Sequence, residues 1–125
     1  HQILDGKIPR LFEKSDQIFR DFIYIEDVLQ AIIKACNPKQ SGTYNIGTGI
    51  SRSFQDIADI LQKELGTDLG TEYFVNPYNG YQTNTQANIS SSEDNLGFKP
   101  NFSLEQGIKS YIPEIRLLHG TKLDD

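Results

Sequence analysis

The apolar positions along the chain follow two periods, one typical of helices and one typical of strands. Helical spacing is clearest over 26–36 and 54–65, where apolar residues recur every three or four positions. Shorter helices are predicted over 90–96 and from Ser103 onward. The apolar stripes of the first two helices consist of Val28, Leu29, Ile32, Ile33 and Cys36, and of Phe54, Ile57, Ala58, Leu61 and Leu65.

Strands are predicted where β-branched and aromatic residues cluster between polar turns. The pattern gives strands at 10–12, 17–25, 43–46 and 72–75, followed by a long polar loop over 76–88. Because these short strands alternate with helices, the fold class expected is a small mixed α/β arrangement.

Capping residues predict where two of the helices begin and where one of them ends. Ser53 with Asp56, and Ser103 with Gln106, have the spacing of capping boxes, and Gly66 is placed to end the second helix. Leu104, Ile108, Tyr111 and Ile112 are expected to face inward from the last helix. Pro113 is expected to break or kink that helix, since proline lacks the amide N–H that a helix interior needs.

Composition excludes several classes of protein. With 37% hydrophobic and 23% charged residues in 125, the chain has the composition of a globular domain, and it has no apolar run long enough to span a bilayer. A net charge of −5 argues against nonspecific nucleic-acid binding, although one local arginine can still hold a small anion. The single cysteine excludes an internal disulfide.

Two stretches carry candidate binding chemistry. Arg20 stands where a polar turn enters an apolar strand, and its planar guanidinium suits a phosphate. The alternative is a local ion pair, for instance with Asp21, at a sheet edge. The loop from Tyr81 to Gln86 offers an aromatic ring, hydroxyls and amides that suit a sugar, and its alternative is an ordinary hydrophilic loop.

Other motifs point to structure rather than chemistry. The Gly47–Gly49 turn resembles a dinucleotide fingerprint, but Arg52 stands at the third glycine position, so a tight turn is the preferred interpretation. His1 and His119 lie at opposite ends of the sequence and are interpreted as exposed histidines without a metal. The chain contains neither a Tyr-x-x-x-Lys nor a Gly-x-Ser-x-Gly motif, so no catalytic acid–base set is predicted.

Three segments resemble, in order and spacing, the signatures of a known family. The run from Arg20 to Val28 is similar to Arg-Asp-Phe-Val-Tyr-Val-x-Asp-Val, the signature of extended short-chain dehydrogenase/reductases that act on nucleotide sugars. Asn45–Gly49 before a Ser-Phe helix start, and Leu96–Pro100, resemble two later blocks of that family.

Two further stretches resemble one group of this family, the ADP-heptose 6-epimerases. Leu11–Ser15 is similar to their Leu-Phe-Glu-Gly-Ser turn, with Lys14 in place of the glycine. The segment from Tyr81 to Asn88 is similar to their Tyr-Gln-x-x-Thr-Gln-Ala-Asp stretch, with Asn84 replacing an aromatic residue and Asn88 replacing the aspartate.

The resemblance implies that substrate binding and cofactor binding lie in different parts of the enzyme. The chain would be the C-terminal, substrate-binding portion of such an enzyme, with residues about 26–46 packing on or joining a Rossmann domain that is mostly absent. We expect a fragment that is inactive alone and that either self-associates or is incompletely ordered. The implied substrate-binding residues are Phe12, Glu13, Lys14, Ser15, Arg20 and Tyr81.

The resemblance also implies the chemistry of the whole enzyme. An ADP-sugar substrate would be oxidised and re-reduced at C6″ of the heptose with NADP, which the missing N-terminal domain would bind. A cytoplasmic homo-oligomer serving lipopolysaccharide core biosynthesis is expected. Another nucleotide-sugar epimerase, dehydratase or reductase of the family, or a non-catalytic binding module, stays open as an alternative.

Overall fold

The computed structural model describes residues 1–120 as four helices and four short strands. The strands are β1 (Arg10–Phe12), β2 (Phe19–Arg20), β3 (Arg52–Ser53) and β4 (Glu72–Phe74). The helices are α1 (Ile25–Ala35), α2 (Phe54–Leu65), α3 (Ser90–Leu96) and α4 (Leu104–Gly120), with one 3-10 turn at Ser15–Gln17. The mixed α/β class predicted from the sequence is confirmed.

The strands form two separate pairs. β1 and β4 run parallel, with Leu11 opposite Tyr73, and α2 lies on the crossover that a parallel pair requires. β2 and β3 run antiparallel, with Arg20 opposite Arg52. The 76–88 loop returns beside β2, where the Phe19 amide donates to the Thr83 carbonyl at 2.7 Å. Residues 83–85 of the loop therefore lie directly alongside β2.

The helix ends predicted from capping residues are confirmed. Ser53 accepts from the Asp56 amide while the Asp56 carboxylate accepts from the Ser53 amide, and Gly66 ends α2 in the left-handed conformation at φ 71°. Ser103 and Gln106 exchange the same two bonds before α4. These reciprocal bonds fix where both helices begin.

Pro113 does not break the last helix, because α4 continues through it to Gly120. The proline removes the bond to the carbonyl of Lys109, one turn earlier. Lys109 and Pro113 are both exposed, so water can replace the lost donor. Tyr111, expected to face inward, is also 42% exposed.

Two strand predictions are wrong, one of them in part. Only Phe19–Arg20 of the 17–25 stretch forms a strand, and residues 43–46 form none. A strand exists through hydrogen bonds to a neighbour, and no described strand lies beside residues 21–25 or 43–46. Their composition is strand-like, but the pairing that would realise it is not present in the described chain.

The buried core is small, and α1 presents an apolar face to solvent. The fully buried or nearly buried apolar side chains are Ile3, Ile18, Ala31, Ala58 and Phe98. On α1, Leu29 is 51%, Ile32 58% and Ile33 72% exposed. The apolar face of α1 is therefore largely uncovered within the described residues.

A buried carboxylate ties α1 to the start of α4. Asp27, fully buried, accepts from the backbone amides of Asn101 at 2.8 Å and Phe102 at 3.1 Å. Its position in the first turn also suits the helix macrodipole. Within residues 1–120, no helix is both long and apolar enough to cross a membrane.

Candidate functional site

Arg20 lies at the end of β2 with its guanidinium held by backbone carbonyls. Its Nη1 donates to the Phe19 carbonyl and its Nη2 to the Gln82 carbonyl, both at 2.7 Å. A guanidinium has five N–H donors, so the remaining donors are available to another acceptor. The two bonds orient the charge and attach the 76–88 loop to β2.

The guanidinium has aromatic neighbours rather than a carboxylate. Its carbon lies 5.2 Å from the ring centroid of Tyr81 and 5.8 Å from that of Phe54. Among the described residues, Arg20 forms no ion pair with an acidic side chain. The alternative of an ion pair with Asp21 is therefore wrong for this structure.

The Asp21 carboxylate binds backbone amides and not the Arg20 guanidinium. Its carboxylate accepts from the Thr48 amide at 2.7 Å, the Gly49 amide at 2.9 Å and the Ala87 amide at 3.1 Å. A carboxylate supplies acceptors for several amides at once, which a neutral side chain of the same size does not. Asp21 thus fastens the 47–49 turn and the end of the 76–88 loop, and leaves Arg20 without its nearest acid.

The same residues exclude a dinucleotide at the Gly47–Gly49 turn. The Asp21 carboxylate already accepts from the Thr48 and Gly49 amides. A Cβ on Gly47 would lie 2.7 Å from Ala87 Cβ and from Asp21 Oδ2, so this side of the turn is filled by the protein. The turn does not fit a pyrophosphate, and the interpretation of it as a structural turn is confirmed.

Aromatic rings gather around Phe12, and one of them, Tyr81, lies against Arg20. The Phe12 ring contacts those of Phe74, Tyr78 and Tyr81 at centroid distances of 5.0, 6.3 and 5.6 Å. Tyr78 and Tyr81 stack at 6.4 Å. Rings of this kind offer flat surfaces for a planar ligand, and the tyrosines add hydroxyls.

The turn between β1 and the 3-10 turn has an unusual backbone. Lys14 has φ 60°, and it is the one non-glycine residue with positive φ in the described chain. The Glu13 amide donates to the Phe74 carbonyl at 2.9 Å. Ser15 is 1% exposed, and its hydroxyl donates to Gln55 Oε1 at 3.2 Å. Ser15 therefore supports the turn from inside, while Glu13 and Lys14 face solvent.

Two cavities meet at Tyr81. The first, about 140 Å³, is largely aromatic and is lined by Phe12, Ser15, Phe54, Phe74 and Tyr81, among others. The second, about 300 Å³, is polar and includes Glu13, Lys14, Gln17, Asn76, Tyr81 and Thr83. Five of the six predicted site residues line one or both, and Arg20 lies against the Tyr81 ring that both share.

A larger cavity of about 430 Å³ lies elsewhere, between residues 22–25 and α4. Its lining is apolar apart from Ser103 and the hydroxyls of Tyr24 and Tyr111. Burial raises the pKa of Tyr24, and nearby Glu26 adds to the shift. This cavity has no charged group that could hold an anion, so it is a poorer candidate for phosphate binding despite its size.

Arg52, opposite Arg20, is already neutralised. Its Nε lies 3.0 Å from Asp56 Oδ2 and its Nη1 2.8 Å from Glu105 Oε1, and the Glu105 bond raises its pKa. The pKa of Glu105 is lowered by its own backbone amide and by Arg52. Burial alone would raise the pKa of Asp56, but hydrogen bonds from Ser53 and Arg52 lower it.

The two histidines, which lie at opposite ends of the sequence and were predicted to be exposed, lie together in the structure. His1 and His119 approach to 3.1 Å between their Nδ1 atoms, and His119 Nε2 lies 3.4 Å from Asp5. The fold returns α4 to the first residues, which sequence distance does not reveal. Residues 1–120 nevertheless hold no group of three His, Cys, Asp or Glu side chains suited to a metal ion.

Some site residues were not predicted. Phe74 reaches the site because β4 pairs with β1 in a register that sets it opposite Phe12. Tyr78 lies three residues before Tyr81 in the same loop, a spacing that could have signalled it. Gln55 contacts Ser15 only through the packing of α2, and nothing in its sequence surroundings indicates that.

Sequence comparison finds related epimerases. No family model matches the chain. Over 115 residues, 89% of its length, it is 36% identical to the ADP-L-glycero-D-manno-heptose-6-epimerase of Brachyspira hyodysenteriae. The chain spans 36% of the length of that relative. The predicted resemblance to heptose epimerases is therefore confirmed over most of the chain.

Solved structures agree with that result. The ADP-L-glycero-D-manno-heptose-6-epimerase of Helicobacter pylori matches 92% of the chain and 35% of its own length, with a TM-score of 0.80 and 39% identity. A UDP-glucuronic acid 4-epimerase from Bacillus cereus, in complex with UDP-glucuronic acid and NAD, matches 94% of the chain and 38% of its own length, with a TM-score of 0.82 and 30% identity. By sequence and by fold, this chain belongs with the nucleotide-sugar epimerases of the extended short-chain dehydrogenase/reductase family.

Proposed function

We propose that the chain is the substrate-binding portion of an ADP-heptose 6-epimerase, which interconverts ADP-D-glycero-D-manno-heptose and ADP-L-glycero-D-manno-heptose. The sequence identities of 36% and 39% to heptose epimerases support this substrate class. The observation that carries the proposal is the Arg20 guanidinium, which has no described carboxylate partner and lies 5.2 Å from the Tyr81 ring.

Arg20 would bind the diphosphate of the substrate. A diphosphate is a strong anion, and a permanently charged fork gives it paired, charge-assisted hydrogen bonds. Two backbone carbonyls already hold the guanidinium in place, so less side-chain entropy is lost on binding than for a free arginine.

The neighbouring residues would receive the nucleoside and the sugar. Phe12 and Tyr81 border the aromatic cavity, which suits a planar base. Glu13 and Lys14 border the polar cavity, which suits hydroxyl groups. Ser15 would contribute through the shape of the turn, because its hydroxyl is committed to Gln55.

The chain would depend on a Rossmann domain for catalysis. Residues about 26–46 would pack on or join that domain, which fits the exposed apolar face of α1 and the unpaired residues 43–46. NADP, bound there, would supply the hydride chemistry at C6″. The residues described here bind and orient the sugar nucleotide, and we propose that the chain alone is inactive.

Location and assembly belong to the same proposal. We infer a cytoplasmic homo-oligomer that contributes to lipopolysaccharide core biosynthesis. The alternative within the family is another nucleotide-sugar epimerase, dehydratase or reductase, which the fold match to a UDP-glucuronic acid 4-epimerase keeps open.

Ligand preference tests the proposal. Titration of the full-length protein with ADP-, UDP- and GDP-sugars of the same hexose should give the lowest dissociation constant for the ADP-sugar. Equal affinity for the three would favour another member of the family. Absence of binding to all three would contradict an epimerase and favour a non-catalytic module.

A further inference from the structure

Gln55, in the first turn of α2, uses both ends of its side-chain amide. Its Oε1 accepts from Ser15 Oγ at 3.2 Å and from Tyr73 Oη at 2.8 Å. Its Nε2 donates to Asp59 Oδ1 at 2.8 Å and to Thr71 Oγ1 at 3.3 Å. One amide thus links α2 to the 3-10 turn, to β4 and to the loop before β4.

The turn that Gln55 reaches needs an anchor. Lys14 has a left-handed backbone, which is unfavourable for a residue with a Cβ and persists where neighbouring bonds impose it. On one side, the Glu13 amide is bound to the Phe74 carbonyl at 2.9 Å. On the other side, the buried Ser15 hydroxyl is bound to Gln55. These two ties hold Lys14 between β4 and α2.

We propose that Gln55 is a positioning residue, which holds the Glu13–Ser15 turn in the conformation that receives the sugar nucleotide. It acts through Ser15 and Tyr73 and does not itself touch the ligand. The proposal rests on the proposed function, since it takes this turn to be a ligand-binding surface. Its consequence is that loss of the Gln55 amide lowers ligand affinity, whereas another change in α2 that lowers stability equally leaves affinity unchanged.

The same helix offers a matched control. Gln62, 8% exposed, donates from Nε2 to the Gly70 carbonyl at 3.1 Å and accepts from the Leu69 amide at 2.7 Å. It fastens the loop that follows α2 and makes no hydrogen bond to the Glu13–Ser15 turn. Replacing either glutamine removes one amide from α2, but only one replacement releases the turn.

Calorimetric titration of the full-length protein with ADP separates the two roles. Gln55→Leu is expected to raise the dissociation constant about tenfold, because the turn loses its tie to α2 and must be ordered when the ligand binds. Gln62→Leu is expected to leave the dissociation constant nearly unchanged at a similar loss in Tm. The double variant Gln55→Glu with Asp59→Asn keeps an acceptor for the Ser15 hydroxyl and exchanges donor and acceptor between positions 55 and 59. This variant is therefore expected to retain the ADP affinity of the parent protein.

If Gln55→Leu does not fold, Ser15→Ala removes the same bond from the other side and is expected to raise the dissociation constant in the same way.

Hydrogen exchange gives a readout that does not need the ligand. Gln55→Leu should speed exchange of the Glu13 and Gln17 amides, whose bonds to Phe74 and Lys14 close the turn, and Gln62→Leu should not. Equal effects of both variants on affinity and exchange would overturn the proposal, as would an unchanged dissociation constant for Gln55→Leu. If the parent protein fails to bind ADP, both the proposed function and the role of Gln55 in ligand binding are contradicted. The exchange measurement then still shows whether Gln55 anchors the turn.

Discussion

Two arginines face each other across the β2–β3 pair, and their surroundings differ. Arg52 lies between Asp56 and Glu105, whereas Arg20 has two carbonyls and two aromatic rings. A guanidinium with a carboxylate partner gains little by binding another anion, while one without such a partner can exchange water for phosphate. At the scale of residues, this contrast is the reason we propose Arg20, and not Arg52, as the cation that binds the diphosphate.

The strained turn gives a stability prediction. Lys14→Gly should raise the free energy of unfolding by about 0.5–1 kcal/mol, because glycine removes a left-handed penalty of about 1–2 kcal/mol and adds some freedom to the unfolded chain. Urea unfolding measures the change. Gly66→Ala, at φ 71°, is the control and should change stability in the opposite direction. An unchanged or lower midpoint for Lys14→Gly would contradict the strain at this position.

The Arg52 ion pairs give a pH prediction. The pKa values of Asp56 and Glu105 are lowered from their usual 3.8 and 4.5. Their stabilisation is therefore complete above the usual values and is lost as pH falls through the lowered ones. Glu105→Gln should cost less than about 1 kcal/mol near pH 7, since Glu105 is half exposed and screened by solvent.

Unfolding measured from pH 7 down to pH 2 checks this expectation. The difference between the parent protein and Glu105→Gln should shrink as the pH falls below 4.5, the usual pKa of glutamate, and disappear once the carboxylate of the parent is protonated. The difference should also shrink in high salt at pH 7. A difference that stays constant across this pH range would mean that Glu105 stabilises the protein through packing instead.

The elements show what local sequence determines and what it does not. Both capping boxes and the Gly66 terminus follow from residues within a few positions of each other, and all were predicted. The strand at 43–46 was not realised because pairing depends on a distant neighbour. The same limit explains why the site was predicted as Arg20 with Tyr81, while the contribution of Phe74 was found only from the β1–β4 register.

The apolar face of α1 gives a prediction at the same scale. Ile32→Lys with Ile33→Lys should weaken self-association of the isolated chain by at least about tenfold, because a contact through this face would bury an unpaired ammonium. Sedimentation over a range of concentrations measures the effect. Leu118→Lys on α4, at a residue 55% exposed, should have less effect. Equal effects of the two changes would place the contact elsewhere.

At the scale of the molecule, the chain is organised around one end of β2. The 76–88 loop, Phe12 of the β1–β4 pair and Phe54 at the start of α2 all contact Tyr81 or Arg20. A second surface, the face of α1 that carries Leu29, Ile32 and Ile33, is apolar and exposed. These two surfaces fit the proposal, in which the region of Arg20 and Tyr81 would bind the sugar nucleotide and α1 would pack against a catalytic domain.

The most direct test of this account is the affinity of Arg20→Ala for ADP and AMP in the full-length protein, with Arg116→Ala, an exposed residue of α4, as control. Loss of Arg20 should raise the dissociation constant for ADP at least about tenfold and that for AMP less, because a charge-assisted bond to the second phosphate is lost. Arg116→Ala should leave both values unchanged. An ADP affinity that Arg20→Ala leaves unaltered, in a protein that still folds, would contradict the assignment of Arg20 to the diphosphate.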